Sequence, residues 1–167
     1  MLKVYARHHR TGEPLPDALI RKIDRAATFG QGFKTVEYLA ASLLDMAWHT
    51  LPAGKEVDAA AFEKATFDRL GLLPEIPSRY RTPYFNHIFG GGSGYSAGYY
   101  SYIWSEVLDS DAFQAFKEKG DLFHPATAAA FRRVLEAGQT VEAADLYRRF
   151  RGRDPQVGPL LAKRGLK

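Results

Sequence analysis

"FKTVEYLAASLLDMAWHTL", residues 33–51, is the longest stretch with a single structural reading. Val36, Leu39, Ala40, Leu43, Ala47 and Leu51 recur at three- and four-residue spacing, and Leu44, Met46 and Trp48 widen the apolar surface. The pattern predicts a central, largely buried helix, stopped by Pro52 and Gly54. Upstream, "PDALIRKIDRAATF" (16–29) places Leu19, Ile20, Ile23 and Ala27 on helical spacing, opened by proline and aspartate, and "GQG" separates it from the central segment. Downstream, Asp58 as N-cap and Gly71 as C-terminal stop bracket a further helix.

The rest continues in kind. The prolines of "LPEIPSRYRTP" (73–83) impose an extended connector. Helical segments follow in "AGYYSYIWSEVL" (97–108), "DAFQAFKEKG" (111–120), "PATAAAFRRVLEAG" (125–138) and "VEAADLYRRF" (141–150). Pro125 suits a first helical position. No apolar–polar alternation exceeds four residues, and no repeat or low-complexity tract interrupts the chain. The fold expected is all-α, with residues 1–167 as a single helical domain or fragment.

Composition bounds the function. At 46% hydrophobic and 25% charged residues, the chain has the balance of a soluble globular protein. No apolar run approaches the roughly 18 residues of a membrane span. The start "MLKVYARHHR" lacks the apolar region of a secretory signal. The absence of cysteine excludes disulfides, thiolate metal sites and a cysteine nucleophile, and suits a reducing cytoplasm. A net charge of +4 is too small to mark a nucleic-acid binder. The run "RRFRGR" (148–153) reads as a solvated helix end paired with Asp145 or Asp154. His8 and His9 point about 100° apart on a helix and read as surface residues, and His49 closes the central helix as a structural cation.

One stretch resists a bland reading. "HIFGGGSGYSAGYYSYIW" (87–104) sets five glycines beside four tyrosines. With a helix beginning near Tyr95, Tyr95, Tyr99, Tyr102 and Glu106 form one stripe, while Tyr100, Ile103, Trp104 and Val107 take the core side. The stripe reads either as packing with hydroxyls at its edge or as a cleft wall offering neutral donors to a ligand. Gly90, Gly91, Gly92 and Gly94 favour the second, because a flexible loop leading into a hydroxyl-lined helix has the build of a closing segment. The G-x-G-x-x-A match at 92–97 follows no strand, so a phosphate cradle does not fit. Arg79 and Arg81 flank Tyr80 just before the loop; they read as solvated arginines of a connector, while a guanidinium fork would also suit a carboxylate.

This stretch, with "YARHHRTGEPLPDALIRKI", "TFGQGFKTVEYLAASLLDMAWHTL", "IPSRYRTPYFNHIF" and "LYRRFRGRDPQVGPLLAKRGL", resembles the C-terminal part of the thimet oligopeptidase family of zinc metallopeptidases, and within it the bacterial peptidyl-dipeptidases of the Dcp type. The resemblance implies a mostly helical zincin-type parent that hydrolyses short peptides and releases C-terminal dipeptides. It assigns Tyr102 to the oxyanion, Tyr95 to substrate near the scissile bond and His87 to the substrate backbone, with Tyr99 as a further contact. Arg79 and Arg81 become candidates for the substrate's terminal carboxylate. The family binds zinc through H-E-x-x-H and a later glutamate. None of the five histidines here begins that motif, so no metal ligand is expected in this chain. The zinc-binding part is expected upstream, in the same longer protein, and the isolated chain is expected to be inactive. Apolar surface left exposed without that part offers a second copy a dimer contact. The reading from another class is a non-catalytic helical module that binds peptides or partners through the same tyrosine face.

Overall fold

The computed structural model describes residues 2–91 and 94–167. Among them the regular structure is helical, and Arg7 and Pro14 form an isolated bridge. In chain order the helices are α1 (Leu2–Tyr5), α2 (Asp17–Ala27), α3 (Gln31–His49), α4 (Ala59–Leu70), a 3-10 turn at Thr82–Tyr84, α5 (Asn86–Phe89), α6 (Ser101–Glu118), α7 (Pro125–Ala137), α8 (Ala143–Arg151) and α9 (Gly158–Lys163). The helix α3 packs on α4, α6 on α9, and α7 on α8.

Several boundaries follow from local chemistry. The Asp58 carboxylate accepts the Ala61 N–H at 2.7 Å, so one of the orphan donors at the start of α4 is satisfied. Gly71 ends that helix at φ 65°, a left-handed conformation that costs a glycine little. Pro125 occupies the first turn of α7, and the preceding His124 ring accepts the Thr127 N–H.

Three expectations need correction. The break expected at "GQG" (30–32) falls earlier: residues 28–30 turn the chain, with Gly30 at φ 68°, and α3 already begins at Gln31. The buried side of α3 is Ala40, Ala41, Leu44 and Asp45, while Val36 and Leu43 remain exposed along a shallow apolar groove shared with Leu70, Leu73 and Ile76. The third concerns the tyrosines. The helix α6 starts at Ser101 rather than near Tyr95, and it runs unbroken through the "DAFQAFKE" expected as a separate helix. Tyr100 and Trp104 are half exposed, whereas Tyr99 is buried.

The central core is small and aromatic: Ala41, Phe85, Ile88 and Tyr99, with Tyr38 and Tyr80 packed against it. A second group of apolar residues, including Trp104, Phe113, Phe116, Phe131, Val134 and Leu146, does not close. It walls an open groove of about 830 Å³ between α6, α7 and α8. The accessible surface is 11731 Å². A compact monomer of this mass exposes about 8,300 Å² by the usual surface–mass scaling. The excess has the size of a large obligate interface.

Candidate functional site

His87, Tyr95, Tyr99 and Tyr102 converge on one cleft of about 180 Å³, together with Ile88 and Gly98. Four different local structures deliver them. His87 sits on α5, which ends at Gly90; a Cβ there would lie 2.8 Å from the Asn86 carbonyl oxygen, so the close turn requires glycine. Tyr95 lies in a turn after the glycine run and is exposed. Tyr99 lies two residues before α6, and Tyr102 is on its first turn and half exposed. Of the glycines expected to form a mobile loop, Gly90, Gly91 and Gly94 border this cleft segment, and Gly92 lies outside the described residues.

The ring geometry explains the arrangement. Tyr99 stacks on Tyr38 at 5.4 Å between centroids and meets Phe85, Tyr80 and Tyr102 edge to face at 5.1, 5.9 and 5.2 Å. His87 lies 5.1 Å from Tyr80 and 6.1 Å from Tyr99. Tyr99 is thus the pivot of the cleft floor, while the exposed Tyr95 and Tyr102 line its rim. Burial pushes the Tyr99 phenol up to about 12, against the opposing pull of Arg79. It therefore stays a neutral donor throughout the physiological range.

The segment carrying these rings is held from α3. Asp45, fully buried, accepts the Ala97 N–H at 3.0 Å on one carboxylate oxygen and the Tyr99 N–H at 2.9 Å on the other. His49 approaches the same carboxylate at 2.8 Å. Tyr38 donates its hydroxyl to the Tyr99 carbonyl and accepts the Ile103 N–H at 3.2 Å. Neither Asp45 nor Tyr38 was among the sequence candidates. A signal existed: an aspartate inside "LLDMAW" must find donors if the helix is buried.

The two candidate arginines part company. Arg81 is ion-paired with Glu63, a buried carboxylate whose other oxygen accepts the Thr82 N–H at 2.7 Å. Arg81, also a candidate for the substrate carboxylate, thus already has a carboxylate partner within the chain. Arg79 is exposed, lies 6.0 Å from the Tyr80 ring centroid, and forms no ion pair among the described residues. Hydrogen bonding to Tyr80 and the nearby Tyr99 keep its guanidinium more firmly protonated than usual.

The described residues do not fit a zinc site. Among those described, no three His, Asp or Glu side chains are placed to hold a metal. The buried carboxylates Asp45, Glu63 and Asp111 are each committed to N–H or guanidinium donors. The "RRFRGR" run is likewise engaged: Arg148 pairs with Asp145 and Asp154 as expected, while Arg151 and Arg153 reach Asp111.

A family profile described as "Peptidase family M3" matches residues 1–166. The dipeptidyl carboxypeptidase of Escherichia coli (strain K12) is 41% identical over 165 residues, which cover 97% of this chain and 24% of that protein. Oligopeptidase A of the same organism is 37% identical over 162 residues, covering 96% of this chain and 23% of its own length. A probable cytosolic oligopeptidase A of Arabidopsis thaliana is 36% identical over 167 residues, with 96% and 23% covered. The chain spans about a quarter of the length of these relatives.

Proposed function

Because the chain belongs to peptidase family M3, we propose that it supplies the substrate-binding wall of a longer zinc-dependent peptidase of the cytoplasm that cuts short peptides and releases C-terminal dipeptides. The observation that carries this reading is the meeting of His87, Tyr95, Tyr99 and Tyr102 in one cleft, in a chain 41% identical to a dipeptidyl carboxypeptidase.

In this reading the cleft binds an extended peptide. The His87 ring holds the substrate backbone, and the Tyr95 and Tyr99 hydroxyls flank the bond to be cut. Tyr102 donates its O–H to the carbonyl oxygen as that oxygen becomes an anion, which favours the transition state over the bound substrate. Arg79, free of a carboxylate partner, receives the terminal carboxylate of the peptide. The zinc ligands and the general base come from the rest of the longer protein. That part also covers the apolar groove between α6 and α8 and accounts for the excess exposed surface. The isolated chain then neither holds zinc stoichiometrically nor hydrolyses peptides, and exposes apolar surface through which two copies can associate.

Incubating the longer protein with an N-acetylated tetrapeptide and its C-terminally amidated form, with products read by mass spectrometry, tests the proposal. Chelator-sensitive release of a C-terminal dipeptide, slowed by amidation, is expected. Binding of the tetrapeptide without cleavage would instead make the chain part of a non-catalytic peptide-binding module.

A further inference from the structure

The strongest unassigned feature is the buried Asp45. Carboxylates inside a protein need donors, and this one takes two backbone N–H groups from a segment 52 and 54 residues away in sequence. Between those two amides the backbone is strained. Ala97 sits at φ 54°, the only non-glycine residue with positive φ among those described. Such a conformation persists only where surrounding contacts over-determine it. Here the contacts are the Asp45 oxygens on either side of Gly98. One step further, Tyr38, seven residues before Asp45 and hence on the same face of α3, fixes the Tyr99 carbonyl and the first turn of α6.

We propose that Asp45 is a positioning residue of the cleft. Its carboxylate bends residues 97–99 out of helix α6, so that Tyr99 turns into the floor and Tyr102 reaches the rim opposite His87. The proposal rests on the reading of this cleft as a peptide site. Its physical content is a local one: the helical alternative, with α6 extended back to Tyr95, would carry the tyrosines on a single stripe and leave Asp45 with only His49 as partner. The Ala97 and Tyr99 amides select between those two backbones.

Hydrogen exchange is read on the chain as it stands and peptide binding on the longer protein, with Asp45→Asn as the main variant. Asparagine keeps the shape but replaces one acceptor by an N–H₂ donor, so it cannot take both amides. The first readout is hydrogen exchange at the Ala97 and Tyr99 amides. Both are expected to be protected in the native chain, with protection falling at least about tenfold in Asp45→Asn while α3 and α4 amides keep theirs. The second is binding of the N-acetylated tetrapeptide, followed by the His87 and Tyr102 ring resonances; its affinity is expected to fall about tenfold. The third is rescue. Ala97→Gly removes the penalty on positive φ and is expected to recover part of the lost protection and affinity in the Asp45→Asn background. His49→Ala, which touches Asp45 and not the loop, is expected to leave both readouts near native.

Native-like protection and affinity in Asp45→Asn would overturn the proposal. So would Ala97 and Tyr99 amides that exchange freely in the native chain, a result available even if Asp45→Asn fails to fold. Protected amides in the chain, with no binding of the tetrapeptide by the longer protein, would count against the cleft reading and leave the hold of Asp45 on residues 97–99 standing.

Discussion

The guanidinium of Arg153 spans both carboxylate oxygens of Asp111, at 2.7 and 3.0 Å, and ties the C-terminal segment to the middle of α6. Tyr147 donates to the same carboxylate at 2.6 Å, and Arg151 bridges it to Glu118. Burial alone would raise the Asp111 carboxyl, but the donors from Arg153, Tyr147 and Arg151 outweigh it and hold it at about 2. A carboxylate lowered in the folded state contributes stability that is complete above its unfolded value, near 3.9, and lost as the pH falls through the folded one. The chain should therefore lose roughly 2 kcal/mol between about pH 4 and pH 2 from this group. In Asp111→Asn, urea unfolding should show about 3 kcal/mol lost at pH 7, because Arg153 loses its carboxylate partner while Arg151 keeps only Glu118, and a shallower acid limb. An acid limb identical to the native one would show that Asp111 does not dominate it.

Arg81 and Arg79 stand two residues apart and should respond oppositely. Arg81→Ala strips the buried Glu63 of its cation and leaves only the Thr82 N–H. Because the Arg81 side chain is more than half exposed, the loss should be about 1–2 kcal/mol, read as a Tm lowered by several degrees. Arg79→Ala should leave Tm nearly unchanged and weaken peptides with a free C-terminal carboxylate more than amidated ones. Equal binding losses for both peptide forms would remove Arg79 from carboxylate recognition.

The helices were legible where a local signal sets them. Asp58 and Gly71 bracket α4, and Pro125 opens α7, because caps act on the nearest turn. The start of α6 was not legible. Tyr95, Tyr99, Tyr102 and Glu106 are spaced for a helix, and locally only Gly98 weakens one. What opposes it is Asp45, whose hold on Ala97 and Tyr99 is a tertiary contact across more than fifty residues. The same contact inverts the expected faces: Tyr99, placed by pattern on a rim stripe, is buried, and Tyr100 is exposed. Grouping His87 with Tyr95, Tyr99 and Tyr102 required the resemblance, since periodicity relates only residues on one element. The buried face of α3 was misread for a related reason. Its apolar side is half open in this chain, and its covered side carries Tyr38 and Asp45.

Tyr99 gives a spectroscopic handle on the cleft floor. Its phenol is pushed up to about 12 by burial, so the folded chain keeps a proton that the unfolded chain releases near 10. A group raised in the folded state contributes stability that is present below its unfolded value and lost as the pH rises through the folded one. Absorbance at tyrosinate wavelengths should show a late-ionising fraction made up of Tyr99 and of Tyr147, the latter raised by burial and its bond to Asp111. Tyr99→Phe should shrink the late fraction and flatten the loss of stability between about pH 10 and 12. An unchanged late fraction would place the Tyr99 hydroxyl in water, outside the floor described.

Tyr102 and Tyr100 sit two residues apart at the start of α6, and both rings are about half exposed, so exposure does not distinguish them. Their surroundings do. Tyr102 lines the cleft with His87 and Tyr95, while Tyr100 lines an apolar groove against α9 with Ile103 and Leu160. A phenol hydroxyl is neutral at pH 7 and can donate one hydrogen bond, which matters most when the substrate carbonyl oxygen becomes an anion. Losing one such donor at an oxyanion costs roughly 10²–10³ in kcat. In the longer peptidase, Tyr102→Phe should lower kcat by about that factor, change KM little and leave Tm nearly intact, because the ring keeps its edge contact with Tyr99. Tyr100→Phe should leave kcat close to native. Steady-state kinetics on the two variants decides: equal losses, or normal turnover in Tyr102→Phe, would assign the Tyr102 hydroxyl to packing and leave the oxyanion donor to be sought elsewhere on the cleft rim.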